Sequence, residues 1–446
     1  MLDLFLAILF CIFGVITGIA TGLLPGLHVN NIALILLSLS GAIISGFDFL
    51  FKYGISEQFI LLLIAIYIIS TSISHTFHDV IPSTFLGAPD EDMALSVLPA
   101  HSLLLEGKGY EAVTLSAMGS YGAIIFCFFI LYPIRFLIGN PFFVYETLRE
   151  IMLFVLISIS ILMLGTEKAK IDLFNKKGKT PAIIGMLFAF FVFILSGLFG
   201  IIIFDVTVDS PIGLSSPVLF PALAGLFGMP TLLTSLLTKP VIPKQKTEPV
   251  HLDKKLKKSS ILSVTTGSIG GILVSIIPGI TSATGTIIAM NARGESSKRQ
   301  TIITLSAVNT ACAFFVVAVM FIILRSRSGA TLAAMELISL TEWKDILIPR
   351  NLSFLLISLI LGGTLSYFLT LKVGKIFAKH FVNLPYSLII KITISLVSIL
   401  VFLFTGFVGL IILIIATLIG LLPVEWGVRR SHCMGILLIP IILYFM

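Results

Sequence analysis

The sequence predicts an all-α protein that crosses a membrane many times and is built as two inverted repeats, each with a Pro-Gly-broken helical hairpin. Of its 446 residues, 57% are hydrophobic and only 11% are charged, whereas soluble domains are about half apolar and about a quarter charged. Many separate apolar runs reach the roughly 20 residues that a helix needs to span a bilayer. A pattern of glycine and proline in the first half recurs in the second half. These observations exclude a water-soluble protein.

The apolar runs predict about 10 to 13 membrane segments, all of them helical. Their mean hydropathy is high enough to raise that of the whole chain to +1.12. The runs lie at about residues 3–24, 30–46, 59–83, 113–134, 150–165, 181–203, 217–237, 260–277, 301–324, 351–371, 386–405, 406–423 and 435–446.

One long polar stretch divides the chain into a first membrane repeat, residues 1–237, and a second, residues 260–446. The stretch between them, residues 238–259, is rich in lysine. Lysine and arginine accumulate in the cytoplasmic loops of membrane proteins, so this linker is predicted to be cytoplasmic. We therefore expect a multi-pass protein of the cell membrane. No basic face with interleaved aromatic residues predicts binding to nucleic acid.

The internal repeat is the most informative feature of the sequence. Four residues of the first half recur in the second half at one constant offset of 253 positions: Gly14, Gly18, Pro25 and Gly26 match Gly267, Gly271, Pro278 and Gly279. In each copy two glycines permit close helix packing, and the Pro-Gly step then breaks the helix in mid-membrane. An odd number of crossings separates the copies, so they are predicted to have opposite orientations, as in many secondary transporters.

The broken helices predict a site for a small anion. Backbone groups that a break frees inside a bilayer must bond to protein, water or substrate, and the N-terminus of a half-helix favours a carboxylate or phosphate. The predicted substrate-binding residues are Pro25, Gly26, His28, Asn30, Asn31, Pro278, Gly279, Thr281, Ser282, Thr284, Asn309 and Thr310. A competing interpretation is a kinked helix pair whose polar side chains bond one another for packing alone.

Ionisable residues in the third apolar run predict coupling to an ion. His75, His78 and Asp79 share one helical face, and Asp90 and Asp92 follow a turn soon after. Ionisable groups at membrane depth cost about 2.5–3.5 kcal/mol each, so those that persist usually serve a pathway. We expect Na⁺ or H⁺ as the coupling ion and no resident metal or other cofactor. The same three residues could instead ligate a metal, and the aspartates could simply be solvated at the cytoplasmic mouth.

The chain resembles the TctA family, the large membrane subunit of tripartite tricarboxylate transporters. The resemblance spans nearly the whole chain and rests on GLLPGLHVNNIALIL at residues 22–36, on LGAPDEDMALSVLPAHSLLLEGKGYEAV at residues 86–113, on SIIPGITSATG at residues 275–285, and on Asn309 and Thr310. It implies a permease that takes up carboxylates, driven by an ion gradient, together with a small membrane subunit and an extracytoplasmic binding protein. The sequence looks like an archaeal branch of that family. His75, His78 and Asp79 depart from the family's pattern.

The predicted function is thus secondary active transport of a small organic anion, with a carboxylate favoured, by a protein that is not an enzyme. Its partners would be the lipid bilayer, the anion and the two further subunits. One alternative is a carrier of polyprenyl-linked or other lipid-linked phosphate, since such transporters also have a Pro-Gly motif followed by small polar residues. An alternative of another class is a membrane-embedded, metal-dependent hydrolase that uses His75, His78 and Asp79.

Overall fold

The structure is a computed structural model and describes most of the chain. The described residues are 2–24, 33, 36–37, 39–86, 97–165, 167, 180–213, 218–238, 243–250, 253–277, 280–294, 297–380 and 386–446. Within these ranges the regular secondary structure is entirely helical. The all-α architecture predicted from the sequence is therefore confirmed.

The helices of the first half begin with α1 (Leu2–Leu23), α2 (Ser40–Gly46), α3 (Glu57–His78) and α4 (Val80–Phe85). They continue with α5 (Val97–Leu105), α6 (Gly109–Ile138), α7 (Val144–Glu150), α8 (Met152–Gly165) and α9 (Thr180–Phe204). The helix that follows is α10 (Leu219–Leu223), which passes through a π-helical turn (Ala224–Gly228) into α11 (Met229–Thr238).

The helices of the second half are α12 (Lys254–Ile276), α13 (Ser282–Arg293), α14 (Lys298–Ile322), α15 (Gly329–Leu337), α16 (Arg350–His380), α17 (Tyr386–Glu425) and α18 (Gly435–Tyr444). Over the described residues, nine helical segments are long and apolar enough to cross a membrane, and the pair α7 and α8, bent by 74°, would make a tenth. The protein is a multi-pass membrane protein.

Glycines allow α1 to pack very closely against α3 in the first half. We call two helices that are packed through glycines in this way a welded pair. A Cβ atom on Gly18 would lie 2.5 Å from the Cβ of Ser74, and one on Gly14 would lie 2.5 Å from the carbonyl oxygen of Tyr67. The hydroxyl of Ser74 also donates to the carbonyl oxygen of Val15 at 2.9 Å. Residue numbers rise together along both helices, so α1 and α3 run parallel.

The same kind of contact joins α12 to α14 in the second half. A Cβ atom on Gly267 would lie 2.6 Å from the carbonyl oxygen of Thr304, and Gly271 lies against the carbonyl group of Val308. These helices also run parallel, because residue numbers again rise together. The repeated glycines therefore make equivalent close approaches in both halves of the chain.

The two welded pairs enter the bundle from opposite ends. At one end Arg350 forms a salt bridge with Asp3 of α1 at 3.0 Å and lies over the ring of Phe59 of α3 at 5.9 Å. At the other end Lys298, where α14 begins, forms a salt bridge with Glu106 at 3.0 Å. We call these ends the Arg350 end and the Lys298 end. Since α12 runs parallel to α14, the α1–α3 pair and the α12–α14 pair point in opposite directions.

That relation is the one that an inverted repeat requires, although the division into repeats at 1–237 and 260–446 stays a prediction. The predicted linker contains regular structure, because α12 already begins at Lys254 with Asp253 as its N-cap. The side chain of Gln245 accepts a hydrogen bond from the backbone N–H of Gly109 at 2.8 Å. Part of the linker therefore packs under α6.

A second bundle is formed by α8 to α10, α17 and α18, which share an apolar cluster with the α12–α13 segment. Its helix α17 is interrupted at Gly406, whose φ of 62° lies in the left-handed region. A Cβ atom there would also lie 2.6 Å from the carbonyl oxygen of Asp209. The last helix, α18, has 10 residues and is therefore only about 15 Å long, so it reaches about half-way across a bilayer.

Candidate functional site

A hairpin of two broken helices lies at the second Pro-Gly step. Helix α12 ends at Ile276, and α13 begins at Ser282. A Cβ atom on Gly285 would lie 3.2 Å from the carbonyl oxygen of Gly270, and Arg293 donates to the hydroxyl of Ser263 at 2.9 Å. Helix α13 therefore turns back along α12. Its 12 residues span about 18 Å, so the hairpin tip lies deep inside the bundle.

The N-terminus of α13 presents hydrogen-bond donors that the helix itself does not use. Thr281 is the N-cap residue, and its side chain makes no capping hydrogen bond. The first intrahelical bond runs from the N–H of Gly285 to the carbonyl oxygen of Thr281, so the N–H groups of the preceding residues have no partner within the helix. Thr281, Ser282 and Thr284 are all buried. The helix dipole makes this tip attractive to an anion.

Asn309 of α14 lies directly beside this N-terminus. The hydroxyl of Ser282 donates to Oδ1 of Asn309 at 3.4 Å. Asn309 is only 3% exposed, and its Nδ2 has no hydrogen-bond partner among the described residues. The buried hydroxyl of neighbouring Thr310 has none there either. Buried polar atoms normally have partners, so these donors are chemically suited to bind an acceptor such as a carboxylate.

The structure brings together the five predicted substrate-binding residues that it describes. Ser282 and Asn309 touch, and Thr281, Thr284 and Thr310 lie within two positions of one of them in the sequence. The predictions that lie outside the described residues are Pro25, Gly26, His28, Asn30, Asn31, Asp90, Asp92, Pro278 and Gly279.

Three of the predicted ion-coupling residues, His75, His78 and Asp79, form a separate buried group between α1, α3 and α16. Nδ1 of His75 lies 3.1 Å from the hydroxyl of Thr21. Nδ1 of His78 donates to the carbonyl oxygen of Ser74 at 2.7 Å, and its Nε2 lies 3.2 Å from the hydroxyl of Thr370. Asp79 follows α3 as its C-cap residue. His75 thus contacts α1 and His78 contacts α16, whereas Ser282 contacts α14.

No group of three or more His, Cys, Asp or Glu side chains is placed to hold a metal ion in the part of the chain that the structure describes. His75, His78 and Asp79 are therefore not gathered as metal ligands, although they share a helical face. Each histidine instead has a threonine hydroxyl as a neighbour.

A third group of ionisable residues was missed by sequence reasoning. Oε2 of Glu167 lies 2.5 Å from Nε2 of His432 and accepts a hydrogen bond from Nε of Arg429 at 2.9 Å. Glu167 is 3% exposed and His432 is fully buried. We call these residues the Glu167 triad. In the sequence they look like loop residues, because they stand at the ends of apolar runs. Only the tertiary fold brings Glu167 to Arg429 and His432, which lie 262 or more residues further along the chain.

The Glu167 triad lies level with the central turns of helix α9. The carbonyl oxygen of His432 accepts a hydrogen bond from Ser196 at 3.3 Å, and Gly435 lies against the carbonyl group of Phe193. Both partners occupy the central turns of α9, which has 25 residues and spans the bundle. The short 3₁₀ helix Arg430–Met434 therefore packs against the middle of α9.

The hairpin tip and the Glu167 triad are neighbours. The hydroxyl of Thr281 lies 3.7 Å from Sδ of Met434, two residues beyond His432. Ile277 and Ile280 of the tip also share an apolar cluster with Cys433 and Met434. The ionisable residue His432 is therefore connected to the candidate anion site through Met434, which contacts Thr281.

A cavity of about 730 Å³ opens at the Arg350 end, where α6 and α14 finish. Its charged lining includes Arg149, Arg325, Glu146 and Glu342. The charge of Arg325 would suit an anion clamp. Ile322 of the lining lies 13 residues beyond Asn309 on α14, which is about 20 Å, so this arginine is not part of the hairpin site.

Comparison with known proteins gives a family match and one related protein. The sequence profile of a family described as the tripartite tricarboxylate transporter TctA family matches residues 8–435. A protein of the archaeon Methanocaldococcus jannaschii, itself named only as uncharacterized, is 28% identical over 447 aligned positions that cover 99% of each chain. No solved structure matches the chain.

Proposed function

Because the chain belongs to the tripartite tricarboxylate transporter TctA family, we propose that it is the permease of a secondary transporter that binds a carboxylate anion at the tip of the α12–α13 hairpin. Membership of this family makes the protein a transporter component that lies in a membrane. The anion class, the binding site and the coupling to an ion gradient are the parts that we propose. The lipid-phosphate and hydrolase alternatives gain no support from the family match.

One observation carries the proposal: the donors that gather at the N-terminus of α13. The N–H groups of its first turn that are not used within the helix, the Ser282 hydroxyl and the Nδ2 of Asn309 all lie inside the bundle. The site's other named side chains, Thr281, Thr284 and Thr310, are neutral hydroxyls. A carboxylate would supply an acceptor to the Nδ2 of Asn309 and to these N–H groups, and the helix dipole would favour its charge.

We further propose that transport is coupled to a cation gradient, of Na⁺ or H⁺. His75, His78 and Asp79 remain candidates for that coupling because they are ionisable, fully surrounded by protein and close to the welded α1–α3 pair. Asp90 and Asp92 remain candidates from sequence alone. Alternating access would follow from movement of one welded helix pair relative to the second bundle, which carries the other face of the site.

The family name also suggests partners. A small membrane subunit and an extracytoplasmic binding protein would complete a tripartite system, in which the binding protein delivers the anion to the permease. The cell membrane is the expected location, since such a system takes up solutes from outside the cell.

The test is anion binding and uptake by the purified protein. Thermal unfolding in detergent would be followed with citrate, succinate, acetate and inorganic phosphate, and uptake would be measured in proteoliposomes. We expect stabilisation by a carboxylate. Ser282→Ala and Asn309→Ala should each weaken binding by about 10- to 100-fold, since a hydrogen bond to a charged group contributes about 1.5–3 kcal/mol.

Two control variants match these substitutions. Thr265→Ala removes a hydroxyl that donates within α12 to the carbonyl oxygen of Leu262, and Asn351→Ala removes an exposed amide that bonds to Ser339. Both should bind and transport as the unaltered protein does. Wild-type affinity in both site variants would place the anion elsewhere and refute the proposal.

A further inference from the structure

We propose that Ser72 of α3 is a second anion-binding residue and that it is the counterpart, in the first half of the chain, of Asn309. The hydroxyl of Ser72 and the amide of Asn309 would then donate hydrogen bonds to one carboxylate ligand from the two halves of the chain. The inference rests on the proposed function, because it requires an anion beside Asn309. It adds to that function a ligand-binding residue from the other half.

The two welded pairs match residue by residue at their glycine contacts. A Cβ atom on Gly14 would lie 2.5 Å from the carbonyl oxygen of Tyr67. A Cβ atom on Gly267 would lie 2.6 Å from the carbonyl oxygen of Thr304. The two glycines are 253 positions apart, whereas Tyr67 and Thr304 are 237 positions apart. Helix α14 therefore corresponds to α3 at an offset of 237 positions.

A second contact gives the same offset. A Cβ atom on Gly18 would lie 2.5 Å from the Cβ of Ser74. A Cβ atom on Gly271 would lie 2.7 Å from the Cβ of Ala311, which stands 237 positions beyond Ser74. Two independent contacts, with distances that agree closely, thus define one correspondence between α3 and α14.

This correspondence pairs Asn309 with Ser72. Asn309 stands two positions before Ala311 on α14, and Ser72 stands two positions before Ser74 on α3. Equal spacing along an α-helix means equal rotation and equal rise, so Ser72 lies at the same angle and height relative to α1 as Asn309 does relative to α12. In the second half this position faces the N-terminus of α13, where Asn309 meets Ser282.

The repeated sequence alone pairs Asn309 with a different residue. At the offset of 253 that the glycines and prolines share, its partner would be Ser56, the N-cap residue of α3. The two offsets, 253 and 237, differ by 16, because the chain between the two helices of a pair is 16 residues shorter in the second half. Only the glycine contacts therefore identify Ser72.

Ser72 and Asn309 lie near the middle of two helices that touch. Helices α3 and α14 pack against each other and run in opposite directions. Ser72 lies 15 residues beyond the start of α3, and Asn309 lies 11 residues beyond the start of α14. These distances are about 23 Å and about 17 Å from opposite ends of the bundle. The two side chains are therefore at similar depths, as contact with one small ligand requires.

Ser72 is partly exposed in a stretch that is otherwise almost completely buried. Of residues 59–86, all of which the structure describes, Leu61, Tyr67 and Ser72 are the three that are not buried. The hydroxyl of Tyr67 lies 2.6 Å from that of Thr17, and Leu61 is apolar. Ser72 is therefore the position at which a polar side chain of this stretch reaches open space without a partner to hold it.

The hydroxyl of Ser72 is available to a ligand. Serine and threonine hydroxyls within helices commonly donate to a carbonyl oxygen three or four residues earlier, and those of Ser70 and Thr76 do so at 2.6 Å and 2.8 Å. Ser72 makes no such side-chain hydrogen bond with any residue that the structure describes. A hydroxyl can donate to a carboxylate, and it brings no charge of its own into the membrane.

The first experiment is calorimetry of citrate binding to variants of the purified full chain. Ser72→Ala should lower the affinity about tenfold, as expected for the loss of one hydrogen bond to a charged group. Ser72→Asn should stay within about threefold of the unaltered protein, because an amide also donates, as Asn309 does in the second half. Thermal unfolding without citrate should be the same for both variants and the unaltered protein.

Ser70→Ala is the matched control. It removes a serine hydroxyl two positions away on the same helix, one that bonds to the carbonyl oxygen of Ile66. The corresponding position of α14 is already an alanine, Ala307, which meets Gly267 as Ser70 meets Gly14. This variant should therefore fold normally and bind citrate as the unaltered protein does.

The second experiment is labelling of Ser72→Cys with a small, charged methanethiosulfonate, which reacts with thiolates in water. We expect the thiol to be labelled and saturating citrate to slow its labelling. The unaltered protein gives the background, since three of its four cysteines are buried. Ile125→Cys, at an exposed apolar position midway along α6, should label slowly and without an effect of citrate, because a side chain that faces lipid has no water around it.

The outcomes are distinct. Citrate affinity unchanged in Ser72→Ala but weakened in Asn309→Ala would overturn the inference and leave the proposed function standing. A loss in Ser72→Ala that disappears at high Na⁺ concentration would also overturn it, because Ser72 would then serve the cation. Failure of Ser72→Cys to be labelled, or labelling that saturating citrate does not slow, would contradict it as well. Absence of citrate binding by the unaltered protein would instead refute the proposed function.

Discussion

The hydroxyl of Ser282, at the start of α13, lies 3.4 Å from the carboxamide oxygen of Asn309 on α14. Two helices that begin at different depths thus meet at a hydrogen bond. The bond leaves the NH₂ group of Asn309 without a partner among the described residues. At the proposed site, this NH₂ group would be available to donate to a negatively charged ligand.

Replacement of Asn309 by aspartate should abolish anion binding while the protein stays folded. A carboxylate at this position would itself interact favourably with the N-terminus of α13, so it would occupy the site and repel the ligand. We expect a loss of more than about 100-fold in affinity, larger than that of Asn309→Ala. The measurement is citrate binding by calorimetry, with thermal unfolding as the check on folding. Unchanged binding by Asn309→Asp would show that Asn309 does not face the anion.

Substitution of Gly271 by alanine should destabilise the weld between α12 and α14. The new Cβ would collide with the carbonyl group of Val308, and overpacking of this kind costs about 1–3 kcal/mol. Gly41→Ala is the matched control, because Gly41 lies in α2 and a Cβ atom there would meet no other atom within 4 Å. That control should be neutral or stabilising by up to about 1 kcal/mol, since alanine is the better helix former. Unfolding in detergent measures both, and equal stability of the two variants would contradict the close approach.

Replacement of Arg135 by lysine should lower the stability of the protein. Its guanidinium is 2% exposed and donates to the carbonyl oxygens of Asn140 at 2.7 Å, Trp343 at 3.1 Å and Lys344. A single ammonium group cannot reproduce that planar set of bonds, so Arg135→Lys should lower the free energy of unfolding by about 1–3 kcal/mol.

The same substitution at Arg350 is the control for this prediction. Arg350 is largely exposed, with 70% of its side chain accessible in its salt bridge with Asp3. Exposed ion pairs contribute about 1 kcal/mol or less, so Arg350→Lys should leave the unfolding midpoint almost unchanged. A similar loss of stability in both variants would mean that the hydrogen bonds from Arg135 to carbonyl oxygens contribute no more to stability than an exposed ion pair does.

Removal of the Thr370 hydroxyl should destabilise the group around His78. Thr370→Val keeps the shape of the side chain but leaves Nε2 of the fully buried His78 without its 3.2 Å partner. The expected cost is about 1–3 kcal/mol. Thr364→Val, on the same helix, removes a hydroxyl that bonds to the carbonyl oxygen of Ile360 and should cost much less. Comparable unfolding midpoints for the two valine variants would argue against a bond between Thr370 and His78.

The fold class and half of the candidate site could be predicted because their signals are local. A long apolar run predicts a membrane helix, and the Pro-Gly step before Ser282 predicts the helix break after which α13 begins. The break at Gly406 likewise coincides with the predicted boundary between two apolar runs. Asn309 was predicted as a polar residue of the first apolar run after the second repeat and by resemblance to a family, but its contact with Ser282 could not be predicted, since one asparagine in an apolar helix does not reveal its neighbour.

The Glu167 triad could not be predicted, because its signal is not local. Glu167 follows one apolar run and His432 precedes another, and each looks like a loop residue by itself. Their contact depends on the descent of the 3₁₀ helix into the bundle, which is possible because α18 is only half a membrane long. Nothing in the hydropathy of residues 426–434 distinguishes such a segment from a solvated loop.

The parallel run of α12 and α14 has a consequence for biosynthesis. Two consecutive parallel helices cannot close as a simple antiparallel hairpin; the chain must first return along the bundle, and α13 provides that return. Gly285 makes the return possible, since a Cβ atom there would lie 2.5 Å from the side chain of Val274. We therefore expect α13 to have to pack against α12 before α14 can take its place beside α12. Bulky residues at Gly285 should appear as failures of insertion and degradation in the cell, and seldom as slow transporters.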